Sequence, residues 1–149
     1  MIENDESFKR ILAIDFGLKR IGLALSDPLF TFAYPYKTIL NDANTFNELK
    51  KIIKDQGVIK IILGFPKKEN GEPASITGEV LKFKQKLEAE FFIQVLLRDE
   101  RYTSYIASEI IAKSVAKKSK RREKGLVDRG SAAIMLQDFL DINKKKIFP

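Results

Sequence analysis

The chain has 149 residues, 44% of them hydrophobic, and 27 Lys and Arg against 20 Asp and Glu give it a net charge of +7. That is enough apolar material for one compact domain and too much for a disordered chain. It contains neither cysteine nor histidine, which excludes disulfides, thiolate and ordinary zinc sites, Ser-His-Asp triads and histidine acid–base pairs. Chemistry is left to carboxylates, Lys, Arg, Tyr, Ser and Thr, with an oxygen-preferring metal as the natural helper. No apolar run approaches the roughly 18–20 residues of a bilayer span. The start, "MIENDESFKR", is polar and acidic, unlike a signal peptide. A cytoplasmic protein with no membrane partner is expected.

The first elements are strands. "ILAID" (11–15) and "RIGLALSD" (20–27) read as a hairpin turning at Gly17, and "FTFAYPYKTI" (30–39) reads as a third strand whose Pro35 marks an edge or a bend. Asn44 is the expected cap of a helix, "TFNELKKIIKDQG" (45–57), in which Phe46, Leu49, Ile52 and Ile53 share a face and Gly57 stops the turn. "VIKIILGFP" is a buried strand ended by Gly64 and Pro66, followed by the loop "KKENGEPAS".

The second half alternates similarly. "ITGEVLKFKQKLEAE" (76–90) is amphipathic through Val80, Phe83 and Leu87, and "FFIQVLLRDE" (91–100) is a strand ending in acids. "TSYIASEIIAKSVAKKSK" (103–120) predicts a helix capped by Thr103, with Ile106, Ile110 and Ile111 inward. "VDRGSAAIMLQDFLDI" (127–142) predicts a last helix that packs through Ala132, Ala133, Leu136, Phe139 and Leu140. A hairpin and third strand followed by helix–strand–helix–strand defines an α/β domain with a mixed sheet. The expected organisation is one domain over 1–149, with a flexible extension at 1–8 and a basic tail at 142–149.

Charge is uneven along this frame. "KSVAKKSKRREK" (113–124) carries seven bases and one acid, and "KKK" (144–146) adds three bases, which leaves the rest at −2. Local basicity suits contact with a polyanion, although a solvated helix end and a frayed tail would look the same.

Acids close several elements. Asp15 ends the first strand, Asp99 and Glu100 end the last, and Asp128 falls in the expected first turn of the final helix. Ligands collect at the carboxyl ends of parallel strands, and clustered carboxylates repel one another unless a cation joins them. A site for Mg²⁺ or Mn²⁺ is therefore expected, able to engage phosphates through open coordination positions. With the fourth strand between the first and last, Asp15 and Glu100 would start about 9–10 Å apart. A bare Gly64 between them would let both side chains lean inward.

Four segments, "DFGLKRIGLALSD", "GFPKKENGEPA", "RDERYTSYIASE" and "VDRGSAAIMLQDFLD", occur in the order seen in the YqgF family. That family comprises bacterial pre-16S rRNA nucleases, also called Holliday junction resolvase-like proteins, of the RNase H-like superfamily. The resemblance runs from about Leu12 to Asp141. It departs only at Ser131, where alanine is expected, and at Phe65, where leucine is common. It implies an RNase H-like fold, a five-stranded mixed sheet flanked by helices, and catalytic metal ligands at Asp15, Glu100 and Asp128.

On that reading the enzyme hydrolyses phosphodiester bonds with Mg²⁺ or Mn²⁺. Gly17 would let a phosphate approach the backbone, and Lys19 and Arg20 would contact flanking phosphates. Arg101 and Thr103 would orient phosphate or brace Glu100. Lys117, Lys118, Lys120, Arg121, Arg122 and Lys124 would follow the nucleic-acid backbone without base stacking, because the segment lacks aromatics. The family points to the 5′ end of pre-16S rRNA in ribosome biogenesis, with ribosomal particles as possible partners. The alternatives are branched DNA in recombination and repair, a non-catalytic nucleic-acid-binding module, and an actin-like phosphotransferase, for which 149 residues supply only one of two required domains.

Overall fold

In the computed structural model, which describes residues 8–65, 77–99 and 120–143, apolar strands come together as one mixed sheet. In chain order the elements are β1 (Arg10–Asp15), β2 (Arg20–Ser26), β3 (Ala33–Leu40), α1 (Thr45–Gln56), β4 (Val58–Phe65), α2 (Thr77–Phe91), β5 (Gln94–Asp99) and α3 (Lys120–Ile142). The sheet order is β3-β2-β1-β4-β5. β1 pairs antiparallel with β2 and parallel with β4, and β4 pairs parallel with β5. This is the mixed sheet expected, with β4 between the first and last strands.

Alternation in β1 builds two cores. Leu12 and Ile14 face one side, where Leu49 and Ile52 of α1 and Val80, Phe83 and Leu87 of α2 complete a buried cluster. Ile11 and Ala13 face the other side and pack with Ala24, Ile62 and the Ala132, Ala133, Met135, Leu136, Phe139 and Leu140 stripe of α3. The helical periods written in α1, α2 and the second half of α3 are thus the ones that bury.

β3 is an edge strand, and Pro35 sits where the β2–β3 register shifts between Leu23 and Ala24, so both readings of that proline hold. The strand starts at Ala33 rather than Phe30, because Phe30 (φ +57) lies in a turn organised by Asp27. The Asp27 Oδ1 accepts from the Thr31 and Phe32 amides at 2.7 and 2.9 Å. Gly57 ends α1 in the left-handed region (φ +63), as its sequence position predicts.

Three local expectations are corrected. Asn44 occupies the N-cap position of α1 but makes no side-chain cap bond. Thr45 ties that end instead, its Oγ1 donating to the Leu40 carbonyl at 2.9 Å and accepting from the Asp42 amide at 2.8 Å. β5 starts at Gln94, because Phe91 still belongs to α2 and Phe92 turns the chain at φ +53. Finally, α3 begins at Lys120, so Asp128 lies more than two turns inside the helix rather than in its first turn. The helix expected over 103–120 lies outside the described residues except for Lys120. No described helix is long and apolar enough to cross a membrane.

Candidate active site at the carboxyl rim

Strand register lays one row of residues across the whole sheet. Asp15 pairs with Gly22 of β2 and with Gly64 of β4, Gly22 pairs with Thr38 of β3, and Gly64 pairs with Arg98 of β5. The row therefore reads Thr38, Gly22, Asp15, Gly64, Arg98. Paired residues share a face, and this face is the α3 side, since Asp15 has the parity of Ile11 and Ala13. Asp15 is half-buried at the last position of a strand whose preceding four residues are all buried. Such a strand end is a rigid base for a carboxylate.

Both ladder neighbours of Asp15 are glycines, so neither flanking strand sets a Cβ beside the carboxylate. Gly64 was legible as a bare strand end. Gly22 was not, although a lone glycine inside the apolar run "RIGLALS" is a recognised sign of close approach at a strand. An all-oxygen donor beside side-chain-free neighbours fits a hard divalent cation. Among the described residues alone, no three acids come together to hold a metal.

The row is tied to α3 at both sheet edges. Arg129 Nη1 donates to Thr38 Oγ1 at 3.3 Å. Arg98 forms an ion pair with Asp138 and stands 6.0 Å from the Phe139 ring centroid. Gln137, eight residues after Arg129, accepts from the Ala33 amide at 2.8 Å and donates to the Thr31 carbonyl at 3.0 Å. Since Arg129 meets the end of β3 and Gln137 its start, α3 runs antiparallel to β1 with its N-terminal half at the carboxyl rim. Backbone position 128 falls one turn before Ala132, on the stripe that packs against the sheet.

The β1–β2 hairpin stands at the same rim. Gly17 is required by its own loop, because a Cβ there would lie 2.4 Å from the Arg20 carbonyl oxygen. Asn41 fastens that loop to the end of β3: its Nδ2 donates to the Gly17 carbonyl at 2.8 Å and its amide to the Lys19 carbonyl at 2.9 Å. Lys19 is exposed and Arg20 half-buried. Phe16, directly after Asp15, is buried on the opposite face with its ring centroid 4.8 Å from that of Phe83.

Of the other sequence-derived site residues, Glu100, Arg101, Thr103, Lys117 and Lys118 lie outside the described residues. Lys120, Arg121, Arg122, Lys124 and Asp128 are on the α3 backbone. Measured back from Arg129, that backbone continues about 13 Å toward and past the rim, so four bases of the charged segment belong to the helix that crosses Asp15's row.

A five-stranded mixed sheet in this order, with helices on both faces, is the fold of the RNase H-like enzymes. The Fowlpox virus resolvase, solved with substrate Holliday junction DNA, shares it at a TM-score of 0.54 with 11% identity, over 89% of this chain and 97% of that one. T. thermophilus RuvC, solved with a Holliday junction substrate, does so at 0.52 with 13% identity, over 91% and 96%.

Sequence narrows the class further. A protein of Chlorobaculum tepidum named as a pre-16S rRNA nuclease is 39% identical over 140 residues, 93% of this chain and 97% of that one. One of Flavobacterium psychrophilum with the same name is 40% identical over 132 residues, 88% and 96%. The profile of the family described as "RuvX: Holliday junction resolvase" matches residues 9–142, and the chain belongs to that family.

Proposed function

We propose that the protein is a metal-dependent nuclease that hydrolyses phosphodiester bonds at the carboxyl rim, with Asp15 as the central metal ligand and Glu100 and Asp128 completing the set. The carrying observation is Asp15 itself: an acid at the end of the middle strand, between two glycines, on the face crossed by α3. Leu96 and Arg98 of β5 face α3, and backbone position 128 lies one turn before the packed Ala132. A bound Mg²⁺ or Mn²⁺ would polarise the phosphate and activate water for in-line attack. The chain's own part is to present Asp15 from a rigid strand end, to keep flanking side chains away from it, and to align the substrate backbone. Lys19 and Arg20 would engage phosphates beside the hairpin, with Arg101 and Thr103 assisting. The bases of 117–124 would hold the flanking strand.

The favoured substrate is the precursor of 16S rRNA at its 5′ end, because the full-length relatives carry that name. Ribosomal particles in the cytoplasm are the corresponding setting. Branched DNA is the second reading, favoured by the family description.

The test compares wild type with Asp15→Asn, in Mg²⁺ or Mn²⁺, on a precursor rRNA fragment and a four-way DNA junction. Wild type cuts the RNA, and the variant binds it without cutting. An Asn variant that cuts at the wild-type rate removes Asp15 from the mechanism, and cleavage confined to the junction transfers the assignment to DNA.

A further inference from the structure

We infer that Arg129 is a phosphate-contacting residue of the site, oriented by Thr38, and that its ligand is a backbone phosphate of the nucleic acid near the bond being cut. The inference rests on the placement of the site at Asp15. Thr38 belongs to Asp15's row and is separated from it only by Gly22. The Arg129 side chain, reaching from α3 to Thr38, therefore stands over the same row, and β2 contributes no side chain between that guanidinium and Asp15.

The hydrogen bond to Thr38 is one long contact, 3.3 Å, from one Nη1 hydrogen to a neutral hydroxyl. A guanidinium has five N–H donors in a planar fork suited to two phosphate oxygens, so one weak tie orients the group without consuming it. Arg129 is only half-buried and thus open to a ligand. Arg98, the arginine of the row itself, differs: its charge is already met by Asp138 and its guanidinium lies near the Phe139 ring. Arg98 braces the fold, and Arg129, reaching over the row from α3, is poised for an anion.

The experiment measures binding of uncleaved precursor RNA in the Asp15→Asn background, which separates binding from cleavage. Arg129→Gln in that background weakens binding about 10-fold or more, as expected for loss of hydrogen bonds to a charged group. It also reduces the slope of log affinity against log salt by about one contact's worth, 0.7–0.9. Arg129→Lys restores the salt slope and only part of the affinity, since it keeps charge without the fork. Thr38→Val gives an intermediate loss of affinity with an unchanged salt slope.

Mn²⁺ binding to the Arg129→Gln protein, followed by electron paramagnetic resonance, and its thermal midpoint stay at wild-type values. Unchanged RNA affinity and salt slope in Arg129→Gln overturn the inference. So does a lowered thermal midpoint with an unaltered slope, which marks a structural tie only. If Asp15→Asn proves fully active, the site reading has failed instead, and the same binding series run without divalent metal still decides whether Arg129 meets phosphate.

Discussion

Phe16 links the reactive strand end to the interior. Its ring is 7% exposed and tilts against Phe83, which in turn lies 5.4 Å from Phe46, so one aromatic chain joins the tip of β1 to α2 and α1. Successive residues of a strand point to opposite faces, so this anchor on one side fixes the direction of Asp15 on the other. Phe16→Ala is expected to cost about 3–5 kcal/mol, the usual loss for a buried phenylalanine. Urea denaturation would check this, and any folded fraction should cleave more slowly per molecule because Asp15 loses its support. Full activity per folded molecule would show that the pairing of Asp15 with Gly22 and Gly64 suffices to hold the carboxylate.

Among the elements, α3 carries the site's geometry, and polar contacts of its described residues help dock it on the sheet. Gln137 supplies two of them, accepting from the Ala33 amide and donating to the Thr31 carbonyl, while its bond to Asp141 Oδ1 at 3.0 Å stays within the helix. Gln137→Ala leaves a part-buried amide and carbonyl without that partner and is expected to destabilise by about 1–3 kcal/mol. Hydrogen exchange should quicken at Ala33 more than in the core of β1, and equal quickening at both would show that α3 does not loosen separately.

This helix also shows how far the sequence could be read. From Val127 onward its apolar spacing predicted Ala132, Ala133, Leu136, Phe139 and Leu140 as core, and all five are buried. The preceding "KRREKGL" has no apolar stripe, so periodicity placed the helix start too late. Lys, Arg and Glu nonetheless favour helix, and the turns continue to Lys120. At the α2–β5 junction the aromatic run "FFI" resembled a strand, whereas Phe92 there is 92% exposed and left-handed. Asp15 was legible because a carboxylate closing an apolar strand is a local signal. The row through Thr38, Gly22 and Arg98 was not, because cross-strand register is set by pairing between segments distant in the chain.

At the scale of the whole molecule, the decisive asymmetry is charge. The chain outside 113–124 and 144–146 is net acidic, so a polyanion gains most in an orientation that meets a basic segment. α3 supplies that orientation: antiparallel to β1, it carries Lys120, Arg121, Arg122 and Lys124 toward and past the rim where Asp15 ends its strand. Counterions released from bound phosphates make affinity fall with salt, by about 0.7 in log–log slope for each contact to a single strand. Replacing those four bases with glutamine should lower the slope by about 3 and weaken RNA binding while leaving the thermal midpoint near wild type, since glutamine matches Lys and Arg closely in helix propensity. Titrating RNA affinity against salt for both proteins measures the difference. A slope unchanged by all four substitutions would mean that the nucleic acid does not follow the helix, and that the excess positive charge serves something other than the reaction at Asp15.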